Sequence, residues 1–223
     1  MLTSTGSHSA KVEVAGSRLW LLPQKAAYLE AEKALLIADL HLGKANHFRL
    51  AGIPIPGKAN EKNLERLIEI VQITNPDQVI FMGDLFHSYY NHEWESLGQV
   101  ISSFKSCHFH LVKGNHDIMS EQQYERYHMD VNDQLTIGKI ILSHEQLDEI
   151  RPGYYNLSGH VHPGVRLLGK GRQSITLPCF YFGINKGLLP AFGALTGLAR
   201  IKVESGAKVF LVAEDKVLEM KHE

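Results

Sequence analysis

The sequence predicts an α/β sandwich, with central mixed β-sheets flanked by helices, on three observations. Several short apolar runs stop abruptly at polar, ligand-type residues. The gaps between the first three of these runs carry apolar residues at helical spacing, as crossover helices between parallel strands do. The second half turns to glycine-rich, alternating segments that read as antiparallel strands.

The runs are Ala34–Ala38 before Asp39, Val79–Gly83 before Asp84, Phe109–Val112 before Gly114 and Asn115, Ile140–Leu142 before His144, and Tyr155–Leu157 before Gly159 and His160. Continuous apolar stretches of this length fit strands buried on both faces. Leu64, Leu67, Ile68 and Val71 mark the first helix, which Asn75-Pro76 stops. Trp94, Leu97, Val100, Ile101 and Phe104 mark the second. Leu135 to Leu142 reads as a hairpin around Gly138, and Ser174–Leu177 and Lys208–Val212 as further strands. With 223 residues and no convincing linker, residues 1–223 are expected to form a single domain.

Composition narrows the function. A 44% hydrophobic, 21% charged chain is that of an ordinary soluble protein. A net charge of −1 gives no general basic footprint for duplex nucleic acid, so any such attraction must be local. Cys107 and Cys179 make neither a short-spaced metal pair nor a disulfide framework. The polar opening, Met1 to Ala10, does not read as a signal peptide, and no apolar run approaches a membrane span, so a cytoplasmic location without membrane contact is expected.

Thirteen histidines are the conspicuous feature. Each motif that ends an apolar run falls at the carboxyl end of an expected strand, where ligands of open α/β sheets bind. Asp39, His41, Asp84, Asn115, His144, His160 and His162 offer oxygen and imidazole nitrogen but no thiolate. Such donors suit manganese, zinc, iron or cobalt rather than a structural zinc finger. Seven are too many for one tetrahedral ion and about right for two ions sharing a carboxylate.

Asp39-x-His41, Gly83-Asp84, Gly114-Asn115-His116-Asp117, His144 and Gly159-His160-x-His162 together resemble the signature of the calcineurin-like metallophosphoesterases. Asp39 to Ala45, Phe48-Arg49, Gly52 to Pro56, Leu177 to Gly183 and Leu189 to Gly193 extend the resemblance to the bacterial DNA ligase-associated metallophosphoesterases. The resemblance implies two divalent ions, manganese first among the candidates. Asp39, His41 and His162 would hold one, Asn115, His144 and His160 the other, and Asp84 would bridge them. His116 would donate a proton to the leaving oxygen, with Asp117 orienting its ring. It also implies a phosphoester substrate, DNA among the candidates, and a functional association with a DNA ligase and a helicase.

Other residues divide between chemistry and structure. Lys44 and Arg49 are candidate phosphate contacts or ordinary surface charges, and His87 could support the site. Tyr89 and Tyr90 could stack on a base but fit loop packing better. His108 and His110 share a strand face and fit packing or exposure, while His47 and His92 are expected in loops without chemistry. Cys179 reads as a buried hydrophobe, and glycines 183, 187, 193 and 197 as turn residues. The leading function is hydrolysis of phosphodiesters, with DNA as a substrate. A nucleotide phosphodiesterase or pyrophosphatase is the alternative. A scaffold with a decayed metal site is disfavoured, because Asp84, Asn115 and His116 are all present.

Overall fold

The structure, a computed structural model, describes residues 8–44, 59–87 and 90–221. Arg49, His47 and Tyr89 lie outside them. Two mixed β-sheets pack face to face. The first runs β1 (Ala10–Val14), β2 (Ser17–Leu22), β3 (Ala26–Leu29), β4 (Ala34–Ile37), β5 (Gln78–Met82), β6 (His108–Val112) and β7 (Met129–Asn132), in that spatial order. β1 to β4 form an antiparallel meander, and β4 to β7 are parallel. Helices α1 (Ala59–Thr74), α2 (His92–Ser103) and α3 (Glu121–Glu125) make the crossovers between the parallel strands.

The second sheet holds β8 (Gln134–Ile137), β9 (Ile140–Ser143), β10 (Tyr155–Ser158), β11 (Pro163–Leu168), β12 (Ser174–Phe182), β13 (Lys186–Leu188), β14 (Ala199–Arg200), β15 (Lys208–Ala213) and β16 (Lys216–Glu219). The expected hairpin at Gly138 is β8–β9. β10 then pairs parallel to β9, so His144 and His160 leave the same end of this sheet.

Side-chain alternation makes the layers. Leu36, Ile80, Met82 and Val112 face Leu142, Leu157, Phe180 and Phe210 between the sheets. Leu35, Ile37, Val79 and Phe81 face the other way, against Leu67, Val71, Trp94 and Leu97 of α1 and α2. Among the described residues, helices cover only this outer face. The second sheet instead packs Cys179, Val209 and Leu211 into a smaller cluster. The expected sandwich of mixed sheets flanked by helices is thus present, with strands β12 and β15 of the second sheet supplying the residues of its own outer cluster.

His92 opens α2, with Asn91 accepting a hydrogen bond from Glu93 N as the cap, so it is not a loop residue. Gly187 lies inside β13 rather than in a turn. His108 is exposed and His110 pairs with Asp130 at 3.5 Å, as strand residues without chemistry.

Candidate metal centre

The expected ligands sit where β4, β5, β6, β9 and β10 end, so both sheets contribute. The loops beyond β4 and β5 stay zipped together: Asp39 N donates to Gly83 O, His41 N to Asp84 O and Leu42 N to Leu85 O. Five of the residues concerned, Asp39, His41, Asp84, His160 and His162, have positive φ, between 48° and 65°. That region is costly for residues with a Cβ and persists where the surroundings over-determine it. Here it turns each side chain off its strand and into the seam.

Close approach also demands glycine. A Cβ on Gly83, itself at φ +79°, would stand 2.1 Å from Nδ1 of His144, and one on Gly114 would stand 2.3 Å from Asp84 N. The segment behind Asp39 is braced from the helix layer. Phe192 N donates to Ala38 O and Gly193 N to Asp39 O. Arg66 of α1 donates to Phe192 O and lies 4.1 Å from the Phe192 ring centroid.

Two donor clusters result. Asp39, His41 and His162 form one, and Asp84, His144 and His160 the other, with the donor atoms of each within 4.8 Å of one another. In the first, Nε2 of His41 and Nε2 of His162 are 3.3 Å apart. In the second, Nε2 of His144 and Nδ1 of His160 are 3.0 Å apart. Asp84 touches both, with Oδ1 3.4 Å from His144 Nε2 and Oδ2 3.7 Å from His41 Nε2. Nδ1 of His144 faces Met82 O at 3.2 Å, which directs Nε2 toward the cluster. Burial, then the nearby Lys44 ammonium, pushes the His41 imidazole down to about 2, so it presents a neutral ring with a lone pair. Convergent imidazoles and buried carboxylates are the donor set that a divalent ion needs, and the residues present fit two.

Asn115 stands beside the second cluster. Its amide donates to Glu145 Oε1 at 2.9 Å, and that oxygen lies 3.9 Å from His160 Nε2. Glu145 carries no motif signal beyond its place next to His144. His116 is half exposed. Its ring centroid is 3.9 Å from that of His87, and its Nε2 is 4.0 Å from Asp84 Oδ2. Burial lowers the pKa of the Lys44 ammonium from its ordinary value, against the opposing pull of Asp84 and Asp39.

Asp117 requires a correction. It was expected to orient the His116 ring, but its oxygens are committed to main-chain amides. Oδ1 accepts from Leu85 N and Phe86 N at 2.9 and 3.2 Å, and Oδ2 from Gly114 N at 2.8 Å. Burial raises its carboxyl to about 6 despite these bonds. Asp117 therefore ties the loop after β5 to the loop after β6, and acts on His116 only through the main chain.

Fold and site together define a metallohydrolase with two adjacent donor clusters. Residues 33–177 match the calcineurin-like phosphoesterase family, and the chain belongs to it. It is a metal-dependent hydrolase of phosphoesters, of a family that works with two metal ions. Among solved structures it is similar to the Pseudomonas putida nuclease MPE, at 29% identity and TM-score 0.80, over 95% of this chain and 100% of that one. A more distant likeness is to Yfce, a phosphoesterase from E. coli, at 14% identity and TM-score 0.43, over 82% and 88% of the two chains. No curated protein matches the chain. No helix among the described residues is long and apolar enough to cross a membrane.

Proposed function

We propose that the chain hydrolyses phosphodiester bonds in nucleic acid, using two manganese ions held between its sheets. Asp39, His41 and His162 hold one ion, Asn115, His144 and His160 the other, and Asp84 joins them. The observation that carries this reading is Asp84, whose two oxygens face one histidine of each donor cluster. Two such ions supply a more acidic water as nucleophile and neutralise charge on the phosphoryl group. His116, half exposed beside Asp84, donates the proton that the leaving oxygen needs. The His87 ring packs against it at a tilt, centroids 3.9 Å apart, and restrains it. Lys44 attracts the phosphate as a point charge.

The Pseudomonas putida relative is a nuclease, which supports nucleic acid as the substrate class. Work alongside a DNA ligase and a helicase in DNA repair rests on the resemblance of the sequence motifs. The second reading, a nucleotide phosphodiesterase or pyrophosphatase, is favoured by the net charge of −1. The test is turnover by the purified protein, loaded in turn with manganese, zinc, iron and cobalt. The substrates are a DNA oligonucleotide, a cyclic dinucleotide and a dinucleoside pyrophosphate. Preference for the oligonucleotide with manganese upholds the proposal, and turnover of the small nucleotides alone replaces it with the second reading.

A further inference from the structure

Charge is distributed very unevenly along this chain. From Ile150 to Val203 there are 54 residues without one Asp or Glu, while seven are Lys or Arg. Those seven come out of 23, so the rest of the chain has 16 bases against 24 acids. A net charge of −1 thus conceals one cationic segment within an acidic remainder. That segment contains two ligand histidines, His160 and His162, and continues from them as β11.

The strand ladder sets the direction of these cations. β11 begins at Pro163, directly after His162, and Ala199 N of β14 donates to His162 O at 3.0 Å. Arg200 pairs with Gly164, and Arg166 follows two residues later on the same strand, hence on the same face. The opposite face carries Val165 and Leu167, which pack into the cluster around Cys179 and Val209. Arg166 and Arg200 are therefore turned away from that cluster, and both are exposed. Leu168, 78% exposed, continues their row. Lys202, past the end of β14, lines a hollow with Tyr181, Leu188 and Glu204 beside that cluster, so it stands outside this row. The exposed carboxylate of Glu145 lies 3.9 Å from His160 Nε2, and Asp148 and Glu149 follow it in sequence.

We propose that the solvent face of β11 and β14, with Arg166 and Arg200, binds the phosphates flanking the scissile one on a nucleic-acid strand. This rests on the nucleic-acid reading given above and adds where the strand lies. Fixed cations on a strand surface suit a row of phosphates, and Leu168 offers apolar contact to a base. A mononucleotide or cyclic dinucleotide held at the metals has too few phosphates to need this row.

The test compares two charge-reversed proteins with wild type. One is Arg166→Glu with Arg200→Glu. The control is Lys105→Glu with Lys139→Glu, near the amino ends of β6 and β9, away from the ligand loops. Each is assayed on an oligonucleotide across a salt series and on bis-p-nitrophenyl phosphate, and oligonucleotide binding is followed by fluorescence anisotropy in EDTA. The arginine variant should raise KM and Kd for the oligonucleotide about tenfold or more. Its log–log salt slope should flatten by about 1.4, two single-strand phosphate contacts. Its turnover of the small diester should stay at the wild-type rate, and the control should match wild type on both substrates. Wild-type oligonucleotide affinity in the arginine variant, or an equal loss in the control, overturns the assignment of this face while leaving the nucleic-acid reading intact. A wild-type protein that hydrolyses the small diester but neither binds nor cuts the oligonucleotide overturns both.

Discussion

Glu145 accepts the side-chain amide of Asn115 at 2.9 Å, and so leaves the Asn115 oxygen as the free donor atom. The same carboxylate lies 3.9 Å from the outward ring nitrogen of His160. Glu145 thus addresses two expected ligands of one ion and follows the third, His144, in sequence. Partners of this kind are typically worth about 10–100-fold in metal affinity. Glu145→Ala should weaken one of two manganese-binding steps by that factor and leave the other unchanged, as read by isothermal titration of the apoprotein. Glu145→Gln keeps an acceptor for Asn115 and should recover part of the loss. Equal weakening of both steps would refute a role confined to the second ion.

Asp84→Asn should behave differently, because Asp84 faces both clusters. The amide removes the charge that offsets repulsion between two cations. Both binding steps should weaken together, with hydrolysis falling in parallel. Two ions per chain and normal turnover in this variant would end the bridging assignment.

His116→Ala should retain both ions, since the ring belongs to neither donor cluster. Its effect should follow the leaving group. A sugar alkoxide needs a proton in the transition state, whereas nitrophenolate leaves without one. General acid catalysis is worth about 10²–10⁴-fold, so the loss should approach that range for an oligonucleotide and be clearly smaller for a nitrophenyl diester. Metal content by mass spectrometry and both rates decide it, and equal losses would point to positioning instead.

Asp117→Ala should act first on stability. Three main-chain amides lose their acceptor, and a buried unpaired polar group costs about 1–3 kcal/mol. Urea unfolding of the metal-free protein should show a loss of at least about 3 kcal/mol. A variant as stable as wild type but with altered acid catalysis would restore Asp117 as a partner of the His116 ring.

The parallel half of the first sheet was legible because β4 and β5 are apolar on both faces and each ends in a ligand motif. Asp39, His41, His144, His160 and His162 stood out for the same reason, their position after such a run. The meander β1 to β3 passed unremarked, although Lys11 and Glu13 alternate with buried Val12 and Val14. Four or five residues of alternation are a weak signal without the neighbouring strand. The role of Asp117 was hidden more deeply. Two of its partners lie 31 and 32 residues away, and adjacency to His116 suggested a contact that the folded main chain does not make. Glu145 was concealed likewise, since its partner Asn115 is 30 residues distant.

The expected ligands span a seam: Asp39, Asp84 and Asn115 follow strands of the first sheet, while His144, His160 and His162 follow strands of the second. An ion held by such a set would cross-link the two layers, and its binding energy would be shared with the folded state. By mass action, a ligand at a hundred times its Kd adds about 2.7 kcal/mol to folding stability. The melting temperature should then rise with the free concentration of whichever divalent ion the centre takes, and withholding that ion should loosen the fold as well as stop hydrolysis.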